Sequence, residues 1–437
     1  MDDDHTRLPD QPAARFTGPF MRFLRIEAVA GVTLFVCTAV ALLLANTRWA
    51  TDFLGFWEVS IGITLGGLEF SRSLKHWVND GLMTIFFFVI ALELKRQMVL
   101  GELRELRQAA LPAAAAVGGM VVPAVVFLLL VGDGAGANGW GTVMSTDTAF
   151  VVGCLAVLGP RVPQTLRLFL LSLAIFDDIG AILVVAVGYA GTVEWVALGF
   201  AVAALAAVVG LRRLGIRSIP VYFAAGCCVW LALDVSGVHP TLAGVVLGLL
   251  TPARSWVSDR RLHAIFDRVT AYSPGNHWGN EPAARTDLRQ AGVAAREALS
   301  PIERLEFALH PWVAFTIMPL FALANAGVSF TDARFDPVLT LAILIAFVVG
   351  KPAGVMLFGF LAVRLRAAIL PATLTWNLLA AGSLLTGIGF TMALFIAQLA
   401  FDPSLVGSVK LGVLSASVLA ATAGLLALVC VTSKRAV

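Results

Sequence analysis

The stretch Leu168-Phe-Leu-Leu-Ser-Leu-Ala-Ile-Phe-Asp-Asp-Ile-Gly-Ala-Ile-Leu-Val-Val-Ala-Val187 decides the fold. Two adjacent carboxylates, Asp177 and Asp178, stand half way along an apolar run over residues 166–190. A run of that length spans a bilayer as a helix, which needs roughly 20 apolar residues. An unpaired charge in hydrocarbon costs at least about 2.5–3.5 kcal/mol on insertion scales. Groups of this kind therefore face a cavity or a partner. On a helix the two side chains point about 100° apart, so one meets a partner while the other faces a cavity. Neighbouring carboxylates repel, and a low dielectric strengthens the repulsion. Such a pair binds a cation when ionised and carries protons when neutral. A salt-bridged structural pair is the plainer reading; the mid-span position favours a transport site.

The rest of the chain has the composition this reading requires. Of 437 residues, 59% are hydrophobic and only 14% charged, with a mean hydropathy of +0.87. Soluble domains are about a quarter charged. The balance argues against a disordered chain, a nucleic-acid binder or a cytosolic enzyme, so neither a cofactor nor a nucleic-acid partner is expected. A formal net charge of +3 implies no special partner. Cys37, Cys154, Cys227, Cys228 and Cys430 lie in apolar stretches without metal or redox spacing and read as buried small hydrophobes. The polar, basic start and the long apolar run after it do not read as a cleavable signal.

Apolar segments fall at 26–45, 78–98, 110–131, 140–158, 166–190, 195–211, 217–233, 238–250, 308–326, 337–361, 376–399 and 408–430. They predict an all-α polytopic membrane protein of about twelve transmembrane helices. The 238–250 segment is short and is expected to extend beyond 250. Lys and Arg mark every second connection, from Arg7, Arg15, Arg22 and Arg25 through Lys95, Arg96, Arg104 and Arg107 to Lys434 and Arg435. By the positive-inside rule both termini are cytoplasmic. The organisation is then a tail over 1–25, a transmembrane domain over 26–430 with a long cytoplasmic connection and helix start at 251–307, and a tail over 431–437. The first outer loop, residues 56–70, alternates about Gly66-Gly67 and reads as a periplasmic β-hairpin. An exposed hairpin edge pairs with a copy of itself, so a homodimer through this hairpin is an expectation.

Two more mid-span charges carry the functional argument. Asp147 lies in Met144-Ser-Thr-Asp-Thr-Ala-Phe150, where Ser145, Thr146 and Thr148 supply hard oxygen ligands suited to Na⁺ or Li⁺. The same hydroxyls satisfy backbone groups where a helix breaks. Lys351, followed by Pro352, is the natural counter-ion for Asp178 or Asp177. A second polar break, Leu385-Thr-Gly-Ile-Gly-Phe-Thr-Met392, predicts a second discontinuous helix. At such breaks Asp147 offsets positive helix ends and Lys351 negative ones. The triplets 110–131, 140–158, 166–190 and 337–361, 376–399, 408–430 enter from opposite sides, each with its broken segment second. That order is expected of inverted three-helix repeats.

Ionisable groups also gather at the rims. Asp80, Glu93 and Lys95 bracket the second span, and Glu303, Arg304, Glu306 and His310 precede the ninth. The 93–107 and 303–310 clusters read either as a pH-responsive rim or as solvated helix ends. His239 reads as a switch near neutral pH or as a hydrogen-bonded packing group.

At this point the chain resembles the NhaA-type Na⁺/H⁺ antiporters of bacteria, from about residue 22 to 430. The resemblance rests on Asn79-Asp-Gly-Leu-Met, Leu92-Glu-Leu-Lys-Arg, Thr146-Asp-Thr-Ala-Phe, Ala174-Ile-Phe-Asp-Asp-Ile-Gly-Ala, Ser236-Gly-Val-His, Leu309-His-Pro-Trp, Gly350-Lys-Pro and Thr386-Gly-Ile-Gly-Phe-Thr-Met. It implies twelve helices with crossed, discontinuous fourth and eleventh spans in a bacterial inner membrane. It implies electrogenic, pH-regulated exchange of cytoplasmic Na⁺ or Li⁺ for external protons. The family's essential carboxylates map onto Asp177 and Asp178, its dipole-compensating aspartate onto Asp147 and its lysine onto Lys351. In the family the first carboxylate contacts that lysine, which favours Asp177–Lys351. The chain departs from the family pattern at the rim, with Gln97 at a commonly acidic position, Glu303 at a basic one and Phe307 at a histidine. A proton-coupled organic-solute carrier would need a larger polar cavity with further anchors. A non-transporting membrane scaffold would tolerate neutral residues in place of the buried carboxylates.

Overall fold

A computed structural model describes residues 27–65, 68–99, 101, 106–134, 136–189, 192–216, 218–272, 281–328, 335–371 and 373–433. Residues 1–26, Gly66-Gly67, Arg104, Lys434 and Arg435 lie outside these. Among the described residues the chain is mostly helical. Nine helices are long and apolar enough to cross a membrane, or eleven spans if each of two bent pairs counts as one. The protein is a multi-pass membrane protein.

The chain opens with α1 (Glu27–Ala45) and α2 (Ala50–Trp57), bent by 119° at the break between them. A two-stranded antiparallel sheet follows, β1 (Ser60–Leu65) and β2 (Leu68–Ser73), in register from Ser60↔Ser73 to Leu65↔Leu68. The hairpin is thus displaced from the expected 56–70. Phe56 and Trp57 belong to α2, where Trp57 is buried and meets Phe53 edge-on at 6.3 Å, a contact of helical i,i+4 spacing.

Next come α3 (Leu74–Val99), with a π-helical turn over Trp77–Leu82, and α4 (Leu106–Val131). The fourth apolar segment begins as a 3₁₀ helix (Ala137–Met144), becomes extended over 145–147 and resumes as α5 (Thr148–Leu158). The span carrying the two carboxylates is α6 (Gln164–Gly188). After it come α7 (Trp195–Arg213), α8 (Ile219–Ser236) and α9 (Leu242–Leu250). Gly237 ends α8 at φ +77°, a left-handed conformation that favours glycine.

The expected extension of the eighth segment past 250 does not occur. Thr251 is extended, as a residue before proline prefers, and Pro252 follows. The end of α9 is capped by cations instead: Lys95 Nζ donates to the carbonyls of Leu249 (2.6 Å) and Thr251 (2.7 Å), and Arg212 donates to that of Leu250 (3.2 Å). Positive groups at a helix C-terminus offset its dipole.

The polar connection contains two helices, α10 (Asp259–Thr270) and α11 (Pro282–Ala298), packed on each other. Then α12 (Pro301–Asn325) starts at a capping box. Ser300 N donates to Glu303 Oε2 (3.0 Å), and Glu303 N donates to Ser300 Oγ (3.3 Å). Glu303 is thereby accounted for as a helix-start residue. The last elements are α13 (Pro337–Arg364), the pair α14 (Trp376–Ser383) and α15 (Phe390–Ala400) with a 3₁₀ turn between them, and α16 (Pro403–Ser433). The pair changes direction by 46°. Helix α16 runs to Ser433.

The chain forms two compact units. The first holds residues 1–82, 106–190 and 311–437; the second holds 83–105 and 191–310. In the first, α4 and α13 lie in close contact. A Cβ at Gly354 would stand 2.1 Å from the Gly118 carbonyl oxygen, and one at Gly118 would stand 2.2 Å from that of Gly354. The helix backbones approach this closely only because both residues are glycine. Gly354→Ala is expected to destabilise the purified protein by about 1–3 kcal/mol through overpacking, read as a lower unfolding temperature. Gly199→Ala, where a Cβ meets nothing within 4 Å, is the control without loss.

The cysteines depart from expectation. Cys227, Cys228 and Cys430 are exposed on apolar helices, and Cys37 and Cys154 are half-buried. In a membrane protein an apolar side chain on the outer face is solvated by lipid, so hydrophobic sequence context does not imply burial inside the protein.

Candidate ion-binding site

Both broken segments belong to the first unit, and their ends are joined by side chains. Asp147 is the N-cap of α5: its Oδ1 accepts from Phe150 N at 3.1 Å. Its Oδ2 accepts from Thr391 N at 3.0 Å and from the Thr391 hydroxyl. Thr391 is in the first turn of α15. One buried carboxylate thus serves the positive N-terminal ends of two half-helices, where an anion is stabilised by the unpaired N–H groups and the dipole. The backbone joins the same two breaks, Asp147 N donating to Ile388 O at 2.7 Å.

Lys351 supplies the opposite charge. It follows a π-helical turn over Ala346–Gly350 and precedes Pro352, which has no N–H to donate back along the helix. Its side chain is wholly buried. Nζ lies 3.0 Å from Asp177 Oδ2 and also donates to the carbonyl of Met144, the last residue of the 3₁₀ half-helix. The ammonium therefore neutralises a carboxylate and a negative helix end together.

Thr146, in the extended break, completes the cluster. Its hydroxyl donates to Asp177 Oδ2 at 2.5 Å and lies 3.2 Å from the Thr386 carbonyl oxygen. Asp177 Oδ1 is buried and accepts no hydrogen bond among the described residues. Asp178, the next residue of α6, is buried with 5% of its surface exposed. A carboxylate oxygen with unused lone pairs, beside hydroxyl and carbonyl oxygens, is the donor chemistry of a hard monovalent or divalent cation. Lys351 places an ammonium on the other oxygen of the same carboxylate.

The residues Thr146, Asp147, Asp177, Asp178 and Lys351 thus all lie buried in the first unit. The choice between Asp177 and Asp178 as lysine partner falls to Asp177. Asp80 is in the same unit, buried, with His76 Nδ1 3.0 Å from its Oδ2. Glu93, Glu306, His310 and His239 belong to the second unit. There Glu306 Oε2 is 2.8 Å from Arg96 Nε. His239 Nδ1 is 2.7 Å from Thr241 Oγ1, a local contact at the start of α9.

Sequence reading missed three contributors. Thr391 registered only as a weak helix former, although Thr148-to-Phe150 and Thr391 both lie at helix starts. The carbonyls of Met144 and Thr386 have no signature in the side-chain sequence. Lys410 is a further buried charge, donating to the Gly327 carbonyl at 3.2 Å. The apolar segment reads from 408, which puts Lys410 at its edge, whereas α16 begins at Pro403 and places Lys410 two turns in.

Comparison with known proteins adds a family. The family model described as Na⁺/H⁺ antiporter 1 matches residues 21–428. The chain is 67% identical over 433 residues to the Na(+)/H(+) antiporter NhaA of Rhizobium meliloti (strain 1021), covering 99% of both chains. It is 53% identical over 428 residues to the Na(+)/H(+) antiporter NhaA 1 of Acidiphilium cryptum (strain JF-5), covering 98% of this chain and 95% of that one. Against the Na(+)/H(+) antiporter NhaA 2 of Vibrio vulnificus (strain CMCP6), identity is 50% over 423 residues, covering 97% and 95%.

Proposed function

Because this chain belongs to the Na⁺/H⁺ antiporter 1 family and is an antiporter of Na⁺ and H⁺, we propose that Asp177 and Asp178 are the groups at which the two ions compete. One observation carries the reading: a fully buried Asp177 carboxylate holds Lys351 and Thr146 on one oxygen and leaves the other without a hydrogen bond among the described residues. In the ion-free state the ammonium neutralises Asp177. Na⁺ or Li⁺ entering from the cytoplasm takes the carboxylate oxygens of Asp177 and Asp178, and the lysine contact opens. Asp147 keeps the facing half-helix ends neutral throughout. After the site is exposed outward, protons return to Asp178 and to Lys351, whose ammonium takes Asp177 again, the cation leaves, and the empty site returns by alternating access.

If two protons exchange for each Na⁺, Asp178 supplies one and the Lys351 ammonium, released from Asp177, supplies the other. The cycle then carries net positive charge inward, and an inside-negative potential assists it. We further read the chain as a bacterial inner-membrane protein with both termini cytoplasmic. Residues 26–430 form the antiporter domain, its two broken spans being the middle members of inverted three-helix repeats. The sheet at Ser60–Ser73 is periplasmic and is the surface for a homodimer. Glu93, Glu306 and His310, with Asp80 and His239, are the groups from which a response to pH would arise.

The test is a pH-gradient assay in everted vesicles or proteoliposomes. Na⁺ and Li⁺ are expected to collapse an imposed gradient, and Asp178→Asn to abolish that collapse. A gradient that decays equally without added cation contradicts exchange by this chain. Full activity of Asp178→Asn contradicts the assigned site.

A further inference from the structure

The half-helix α15 carries two polar side chains on one face. Residues Phe390–Ala397 are all buried. Thr391 and Gln398 are seven residues apart, so they point within about 20° of each other and stand about 10 Å apart along the axis. Thr391 holds the Asp147 carboxylate. Gln398 enters a closed ring of three amides. Gln398 Nε2 donates to Asn325 Oδ1, Asn325 Nδ2 donates to Asn79 Oδ1 at 2.7 Å, and Asn79 Nδ2 donates to Gln398 Oε1 at 2.5 Å. Asn325 is wholly buried, and its second N–H donates to the Phe321 carbonyl at 3.0 Å.

The ring joins three distant parts of the first unit: the π-helical turn of α3, the end of α12 and α15. One turn before the ring, Phe321 and Phe395 pack with ring centroids 6.4 Å apart. Burying a primary amide is unfavourable unless its donors and acceptor are paired. The ring pairs each amide with the other two, so loss of one member leaves both neighbours short of a partner. A polar network of this kind fixes one arrangement where apolar packing alone tolerates rotation and sliding.

We propose that Asn79, Asn325 and Gln398 are positioning residues for cation exchange. They set the rotation and axial position of α15, and so hold Thr391 on Asp147 beside the Thr146–Asp177–Lys351 cluster. The proposal rests on the reading of that cluster as the ion site.

The test uses the full-length protein in proteoliposomes with Na⁺ as the probe. Gln398→Met keeps the side-chain length and removes the amide. Gln398→Ala leaves room for water to satisfy Asn79 and Asn325 and serves if the first variant folds poorly. Asn79→Leu, alone and with Gln398→Met, completes the cycle. The apparent KM for Na⁺ is expected to rise about fivefold, the equivalent of one hydrogen bond of positioning. The maximal rate should stay within about twofold, since the groups that bind the ion are untouched. The double variant should be no worse than the worse single one, because the ring is already open.

An unchanged KM, with or without a lower unfolding temperature, overturns the proposal and leaves the ring a packing element. A fall in maximal rate at constant KM, or additive KM effects, overturns it as well. Asp177→Asn in the same assay separates the two claims. If that variant exchanges normally, the ion-site reading fails; if it is inactive while the Gln398 variants match the wild type, only the ring proposal fails.

Discussion

Asp147→Ala is expected to destabilise the protein by about 3–5 kcal/mol, as for a buried charged group losing its network, and to lower exchange at least about tenfold. The side chain accepts from Phe150 N, Thr391 N and the Thr391 hydroxyl. Hydrogen bonds to a charged acceptor are worth about 1.5–3 kcal/mol each, and unmade partners in a buried site add to the loss. The alanine variant also brings two positive helix ends together with no anion between them. Asp147→Asn keeps one acceptor oxygen and removes the charge, and should fall between. Thermal unfolding in detergent and exchange in proteoliposomes measure the two effects. Wild-type values for both in Asp147→Ala would remove Asp147 from the account.

The second large effect comes from Lys351. Removing one partner of a buried ion pair costs about 3–5 kcal/mol, whereas replacing both by apolar or neutral groups is often nearly neutral. Lys351→Met strands the Asp177 carboxylate and the Met144 carbonyl, so both stability and exchange are expected to collapse. The double variant Asp177→Asn with Lys351→Met should recover most of the stability and none of the exchange. Lys351→Arg keeps the charge but offers a planar fork in place of a compact ammonium, and should retain the fold better than it retains cation affinity. Additive stability losses in the double variant would show that the pair does not act as a unit.

These effects follow from features that were readable to different degrees. Asp177, Asp178, Asp147 and Lys351 stood out because a charge inside an apolar run is costly and needs a local reason. The breaks at Thr146-Asp147 and Thr386–Gly389 stood out because hydroxyls and glycines interrupt otherwise regular apolar segments. Contacts between distant segments had no such signal. The amide ring joins residues 246, 73 and 319 positions apart, and each amide alone reads as an ordinary polar residue. Carbonyl partners such as Met144 O are invisible because every residue carries one. The hairpin was displaced because Phe56-Trp57 continues a strand-like alternation while packing as helix. The eighth segment was overextended because hydropathy ignores the constraint that Pro252 places on Thr251. Lys410 has no such signal because hydropathy leaves it near the end of an apolar segment, where a lysine looks like a rim group.

The most direct measurement of the central claim is proton release on cation binding. Na⁺ is added to the purified, weakly buffered protein, and the released protons are followed with a pH indicator. If Na⁺ and H⁺ compete at Asp177 and Asp178, the wild type releases protons in a saturable, Na⁺-dependent manner, and Asp177→Asn with Asp178→Asn releases none. Equal proton release from both proteins would contradict the account.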